Sequence, residues 1–173
     1  MSLGTSLELC EESRSYMNQK TIQSKIWVDA DACPKVIKEV IYKFSSRFQV
    51  SVCLVANSYM NIPQSPLISF VKVESGADVA DMYIAQNLNE QDLVITADIP
   101  LAGEVVAKGA LAINPRGEAY NLENIGERLS MRDYMKELRD GGLVTGGPSE
   151  FSAKDKVSFT NSLNKILTKK GFT

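Results

Sequence analysis

The sequence predicts an α/β fold with three layers, in which helices cover both faces of a central, mostly parallel sheet and further helices follow at the C-terminus. Short apolar runs typical of buried strands alternate with longer stretches whose apolar residues recur at helical spacing. The predicted order is β-α-β-β-α-β, and the helices are long enough for the crossovers that parallel strands need. At 173 residues the chain fits one domain with a substantial core.

The N-terminal segment differs from the rest of the chain. We expect residues 1–25 to form a loosely ordered extension and residues 26–173 a single domain. The extension contains several glutamates and lacks a long apolar core, so it resembles neither a signal peptide nor a membrane anchor. The three cysteines form no Cys-x-x-Cys pair and no complete disulfide framework. These features predict a cytoplasmic protein with reduced thiols and no membrane partner.

The first half of the predicted sheet begins with a short apolar strand at residues 26–28, which ends in Asp29. A helix follows, because Pro34 suits its first turn and Asp31 is positioned to cap it. Its apolar residues repeat at helical spacing: Val36, Ile37, Val40, Ile41 and Phe44. We then expect a strand at residues 50–56, a loop at 57–66 and a strand at 67–73.

The second half follows a break at residues 74–76. A helix begins near Asp78, and Asp81, three residues later, lies on the same helical face. The next strand, residues 93–96, precedes Asp98 and a helix that ends near Lys108. Residues 110–113 form the last predicted strand.

The C-terminal third contains two predicted amphipathic helices, residues 121–139 and 152–169. Ser152 and Asp155 form a capping signal at the start of the second helix. The glycine-rich residues 141–148 between them predict a flexible hinge. We expect the two helices to pack beside the core as a lid or flank.

Five aspartates are the candidate metal ligands: Asp29, Asp31, Asp78, Asp81 and Asp98. Taken alone, Asp31 and Asp78 have the ordinary interpretation of helix-terminal residues. Asp29 and Asp98 each follow an apolar strand, so parallel strands would place both at one sheet edge, where α/β proteins bind ligands. Crowded carboxylates repel one another, and a hard cation such as Mg²⁺ or Mn²⁺ is the usual way to keep them ionised. We therefore expect the carboxylates of Asp29 and Asp98 to lie roughly 4–7 Å apart.

The chain contains no histidine, which excludes the usual Ser-His-Asp and Cys-His nucleophile systems and the commonest zinc ligand. A formal net charge of −2 provides no general basic field for nucleic acid. Nucleic-acid binding would therefore require a local patch or a bridging metal.

Four other residues have both a functional and an ordinary interpretation. Arg116, with Asn114 at the end of a strand, would clamp a phosphate or belong to a Pro-Gly turn. The Thr96 hydroxyl would orient the Asp98 carboxylate or its water, or be an ordinary strand residue. Cys33 lies near a helix N-terminus that can lower a thiol pKa, but a small half-buried structural residue is the preferred interpretation.

Several ordered motifs closely resemble the YaiI/YqxD family of uncharacterised bacterial proteins. They are Trp27-Val28-Asp29-Ala30-Asp31-Ala32-Cys33-Pro34, Gly76-Ala77-Asp78-Val79-Ala80-Asp81, Asp92-Leu93-Val94-Ile95-Thr96-Ala97-Asp98-Ile99-Pro100-Leu101-Ala102, Asn114-Pro115-Arg116-Gly117, Met131-Arg132-Asp133 and Thr145-Gly146-Gly147-Pro148. The resemblance covers about residues 25–169.

That family is grouped with PIN-like nuclease domains, so the resemblance implies a PIN-like three-layer fold and a Mg²⁺ or Mn²⁺ site. It assigns metal binding to Asp29 with Asp31, to Asp78 or Asp81, and to Asp98 in Thr96-Ala97-Asp98. The chain departs from PIN-like nucleases in two respects. The further acidic residue often found shortly after the last motif has no clear counterpart, and no basic surface typical of RNA-cleaving toxins is evident.

Three functions fit these patterns. The first is a Mg²⁺- or Mn²⁺-dependent phosphodiesterase, nuclease-like, in which the aspartates hold metal and Arg116, Asn114 and Thr96 contribute to substrate binding. RNA or another nucleic acid is its expected substrate. The second is a haloacid-dehalogenase-like phosphatase with Asp29 as nucleophile and Asp31 as acid. The third is a nucleotide- or RNA-binding module without turnover.

Overall fold

The computed structural model describes residues 24–147 and 149–170, which form six strands and five main helices. The predicted N-terminal extension therefore lies almost entirely outside the described residues. The elements are β1 (Lys25–Asp29), α1 (Lys35–Phe48), β2 (Ser51–Ala56), β3 (Ile68–Lys72), α2 (Val79–Asn87), β4 (Leu93–Ile95), α3 (Ile99–Ala107), β5 (Leu111–Ile113), β6 (Ala119–Tyr120), α4 (Ile125–Asp140) and α5 (Ala153–Lys169), with a short 3₁₀ turn at Ala30–Ala32.

The sheet has the strand order β3-β2-β1-β4-β5-β6. The first five strands in this order are parallel to their neighbours, and β6 pairs antiparallel with β5. The mostly parallel sheet predicted from the sequence is confirmed, whereas the two-residue β6 was not predicted. β2 and β3, which follow β1 in the sequence, lie on one side of β1, whereas the later strands β4 and β5 lie on its other side. The strand order thus reverses between β1 and β4, and ligand crevices of open α/β sheets lie at such a point.

The strands contribute side chains alternately to two hydrophobic clusters. Ile26 and Val28 of β1 pack in a cluster with residues of α1 and α5, whereas Trp27 packs on the other face with residues of α2 and α3. This alternation follows from the two-residue repeat of a strand. It gives the predicted three layers, with helices on both faces of the sheet.

The two C-terminal helices pack differently. Phe159, Leu163 and Leu167 of α5 are fully buried, so α5 belongs to the layer that contains α1. The expectation of a lid or flank is therefore wrong for α5, whose apolar stripe completes the core. The capping box predicted for this helix is present, with Ser152 and Asp155 bonded reciprocally. In contrast, α4 buries none of its residues and lies against α3.

The connection between β2 and β3 contains no helix, although the two strands are parallel neighbours. This segment, residues 57–67, crosses the face of the sheet that carries α1, and its Met60 and Ile62 pack on the cluster there. In the part of the chain that the structure describes, no helix has both the length and the apolar character needed to cross a membrane.

Candidate metal centre

The parallel pairing of β1 and β4 places their carboxyl ends side by side. Val28 pairs with Ile95, so Asp29 and Thr96 follow at the same level of the sheet. The Thr96 hydroxyl donates to Asp29 Oδ2 over 3.2 Å, and the same hydroxyl oxygen accepts from Asp98 N over 3.0 Å. A single threonine therefore connects the two strand ends. Thr96 orients Asp29, rather than the Asp98 carboxylate that the sequence suggested.

Three carboxylates converge beside this junction. Asp78, Asp81 and Asp98 each present an oxygen such that all three atoms lie within 4.8 Å of one another. They come from the segment before α2, from its first turn and from the residue before α3. We call these three residues the aspartate triad. The sequence prediction that the aspartates of β4 and of the α2 start share a site agrees with this geometry.

The local backbone explains how the triad is built. Asp98 is the N-cap of α3, and its Oδ1 accepts from Leu101 N over 2.9 Å, which uses one carboxylate oxygen. Asp78 precedes α2 in the left-handed conformation, with φ of 65°, and its side chain makes no cap hydrogen bond. Aspartate tolerates that conformation better than most residues. The ordinary capping role thus applies to Asp98 and not to Asp78.

Asp29 is buried, with 8% of its surface exposed. Loss of solvent raises the pKa of its carboxyl, the hydrogen bond from Thr96 opposes this rise, and the negative charges of Asp98 and Asp31 add to it. Asp29 therefore lies within electrostatic reach of the triad.

Asp81 is partly buried and lies among other carboxylates. Burial is the largest cause, and the negative charges of Asp98 and Asp29 come next, so that the pKa of Asp81 rises to about 7. A hydrogen bond with Asp98 and the charge of Asp78 act in the same direction. These carboxylates thus destabilise one another when all are ionised.

Asp31 lies at the rim of the same region. Together with Asp29, Asp78 and Asp81 it lines a cavity of about 150 Å³. Its carboxylate accepts from Asn57 N over 2.8 Å and lies 3.5 Å from Ser58 Oγ, which ties the 3₁₀ turn to the end of β2. The expected cap of α1 by Asp31 is wrong, because Pro34 occupies the N-cap position and Asp31 faces the loop.

Arg116 contacts α5 and the segment before it, whereas Asn114 lies in the turn between β5 and β6. Arg116 pairs with Asp155 over 2.9 Å and donates to Ser149 Oγ and to the Ser149 carbonyl. Asn114 Oδ1 accepts from the backbone of Arg116 and of Glu118 and so holds the turn between β5 and β6. Both side chains have the contacts of a structural turn, and a phosphate would have to displace Asp155 from Arg116.

Gly117 explains why this motif contains a glycine. A Cβ at this position would lie 2.6 Å from the Ser158 carbonyl carbon of α5, and φ is +88°. The Ser162 hydroxyl also donates to the Gly117 carbonyl over 2.6 Å. The motif therefore brings the backbone of the turn into direct contact with α5.

Cys33 is buried, and burial raises the pKa of its thiol to about 12. The preferred structural interpretation of this cysteine agrees with that environment. Sequence reasoning missed Asn57 and Gly76, which line the same cavity as the aspartates. Asn57 directly follows β2, which is parallel to β1. Its position in the sequence could have predicted its place in the site, because parallel strands bring their carboxyl ends to one edge of the sheet.

Comparisons with known proteins support the resemblance. The model of a family described as "Uncharacterized BCR, YaiI/YqxD family" matches residues 27–169. A UPF0178 protein of Maridesulfovibrio salexigens is 58% identical over 145 residues, which cover 84% of this chain and 96% of the relative. UPF0178 proteins of Geobacter metallireducens and Shewanella sp. strain MR-7 are each 56% identical, over 84% and 85% of this chain and 94% and 97% of their own lengths. No solved structure is significantly similar to the chain.

Proposed function

We propose, from the premise that this chain belongs to the YaiI/YqxD family and from the geometry of its aspartates, a Mg²⁺- or Mn²⁺-dependent phosphodiesterase that acts on nucleic acid. The observation that carries this proposal is the convergence of the aspartate triad, within 4.8 Å, beside buried Asp29 at the reversal point of the sheet. The resemblance to PIN-like nucleases, noted from the sequence, favours the same chemistry.

The residues present fit a hard divalent cation. Oxygen ligands of one Mg²⁺, each at about 2.1 Å, lie at most about 4.2 Å apart, so the triad needs only small side-chain adjustments to bind one ion. Carboxylates that repel one another also gain most from a cation. When bound, the ion would supply an activated water and offset the charge that develops on phosphate.

The chain's own residues then have separate roles. Asp78, Asp81 and Asp98 would hold the ion, and capping of α3 would keep Asp98 in place. Thr96 would fix the orientation of Asp29, which completes the acidic wall of the site. Asp31 would contribute charge from the rim, because Asn57 and Ser58 already bind its carboxylate.

One observation weighs against the phosphatase alternative, in which Asp29 would attack phosphate and Asp31 would act as the acid. Asp31 would have to donate a proton, yet its oxygens accept hydrogen bonds from the loop after β2. A covalent phosphate on Asp29 would nevertheless establish that alternative.

The test measures hydrolysis of short single-stranded RNA and of a generic phosphodiester with Mn²⁺ and with chelator. Asp98→Asn is the sharpest variant, because asparagine also caps helices and preserves the start of α3 while it removes the charge. We expect a loss of about 100-fold or more for Asp98→Asn and for Asp81→Asn. Asp140→Asn at the exposed end of α4 is the matched control and should retain activity.

Activity that survives chelation or the Asp98→Asn substitution would contradict the proposal. Binding of RNA without any product in the presence of Mn²⁺ would instead support a binding module.

A further inference from the structure

The loop after β2 connects the aspartates to a second cavity. Asn57 and Ser58 contact Asp31, and the next residues, Met60, Asn61, Ile62 and Pro63, form one wall of a groove of about 600 Å³. The other wall comes from α1 and includes Lys35, Lys38, Glu39 and Tyr42. This volume falls within the range of ligand-binding pockets.

Lys38 lies between the groove and the 3₁₀ turn. Its Nζ donates to the Ala30 carbonyl over 3.4 Å and lies 3.9 Å from Met60 Sδ. Ala30 is flanked by Asp29 and Asp31 in the sequence. The ammonium group therefore lies between the 3₁₀ turn and the loop that forms the other wall of the groove, where it is available to a backbone phosphate.

Tyr59 is the most exposed aromatic residue of the described chain, with 80% of its surface exposed. Lys72 Nζ lies 4.6 Å from its ring centroid, and the centroid of the Phe70 ring lies 6.4 Å away. An exposed aromatic ring beside a lysine is typical of surfaces on which bases of single-stranded nucleic acid stack.

The charges of this surface fit the same occupant. Lys35, Lys38 and Lys72 surround the loop, and Glu39 is the acidic residue of the groove lining. The chain as a whole has a net charge of −2, so binding of nucleic acid requires a local basic group such as this one. Phosphates bound here would neutralise the positive charges of these lysines.

We propose that residues 57–63 and the groove beside α1 bind the segment of a single-stranded nucleic acid adjacent to the reacting phosphate. Tyr59 stacks on a base, and Lys35 and Lys38 contact backbone phosphates. This inference rests on the proposed function for the position of the reacting phosphate, but the binding surface itself is measurable without turnover.

The experiment measures fluorescence anisotropy of a labelled single-stranded RNA of about 12 nucleotides, in chelator so that no hydrolysis occurs. Tyr59→Ala should raise Kd by about tenfold, because stacking on one aromatic ring is lost. Tyr59→Phe keeps the ring and should bind like the unmodified protein. Tyr134→Ala, which removes an exposed tyrosine from α4, is the matched control and should leave Kd unchanged.

The lysines are tested by the salt dependence of binding. Lys35→Gln with Lys38→Gln should lower the slope of log Kd against log salt by about 1.4, since two phosphate contacts on a single strand are lost. The double control Lys136→Gln with Arg139→Gln, on exposed positions of α4, should leave the slope unchanged. A duplex of the same sequence should bind more weakly, because its bases are already stacked.

Equal Kd values for Tyr59→Ala and Tyr134→Ala, or an unchanged slope for the double lysine variant, would overturn this assignment and leave the metal-dependent activity standing. Conversely, Tyr59-dependent binding without hydrolysis in Mn²⁺ would support the binding surface and refute the proposed activity.

Discussion

The β1–β4 pair has a buried aspartate at each end, and the two are held in opposite ways. At the amino end, Asp92 is 1% exposed and accepts from Lys25 N, the Trp27 indole and Asn89 N, each within 2.9 Å. At the carboxyl end, Asp29 is 8% exposed and accepts from Thr96, with further carboxylates nearby. Three donors contact Asp92, whereas Asp29 accepts from the Thr96 hydroxyl and lies near the negative charges of Asp98 and Asp31.

This difference separates a structural carboxylate from a candidate functional one. A buried charge is tolerated when hydrogen-bond donors replace its lost water, and the three donors to Asp92 do so. The charge of Asp29 is only partly compensated within the described residues, so a cation would stabilise it. Burial of a carboxylate therefore does not identify a functional site by itself. What distinguishes the two aspartates is whether hydrogen-bond donors or negative charges surround them.

Substitution of Asp92 should have the largest effect on stability. Asp92→Ala leaves two backbone amides and the Trp27 indole without their acceptor, and we expect unfolding free energy to fall by about 3 kcal/mol or more. Asp29→Asn removes a charge from a repelling group and should change the stability without metal by less than about 1 kcal/mol. Urea denaturation in chelator measures both. A large loss for Asp29→Asn would show that Asp29 is as structural as Asp92.

Mn²⁺ should stabilise the protein through the carboxyl end of the sheet alone. A ligand at 100 times its Kd adds about 2.7 kcal/mol to the unfolding free energy. We expect Mn²⁺ to raise Tm of the unmodified protein and to have little effect on Asp81→Asn with Asp98→Asn. Asp133→Asn, on exposed α4, controls for loss of charge. An undiminished Mn²⁺ shift in the double variant would place the metal elsewhere.

Much of this contrast was predictable from the sequence. Apolar runs placed the strands, and their parallel order placed Asp29 and Asp98 at one edge. The distinction between Asp29 and Asp92 was not predictable, because it depends on the register of β1 against β4 and on the turn that brings Asn89 N to Asp92. The structural use of Arg116 likewise depends on where α5 docks, some 40 residues later in the sequence.

Arg116 provides a smaller test of the same principle, because Asp155 and Ser149 already accept hydrogen bonds from its guanidinium group. Arg116→Ala should lower Tm slightly and reduce hydrolysis by less than about tenfold, compared with the 100- to 1,000-fold that loss of a transition-state donor costs. Asp155→Asn weakens the same contact from α5 and should lower Tm to a similar extent. A loss of activity of 100-fold or more at unchanged Tm would restore the phosphate-binding role to Arg116.

The pH dependence of stability in chelator is specific to the acidic end. The folded-state pKa of Asp81 is raised to about 7 from 3.8, so the folded protein binds more protons than the unfolded chain between these values. The resulting stabilisation is present at acidic pH and is lost as pH rises through about 7; the raised pKa of Asp29 acts in the same direction. Tm in chelator should therefore fall between about pH 5 and pH 8. In Asp81→Asn this fall should be reduced, because asparagine does not titrate. An identical pH profile for both proteins would show that the pKa of Asp81 is not raised in the folded chain, and would remove this electrostatic reason for a cation at the site.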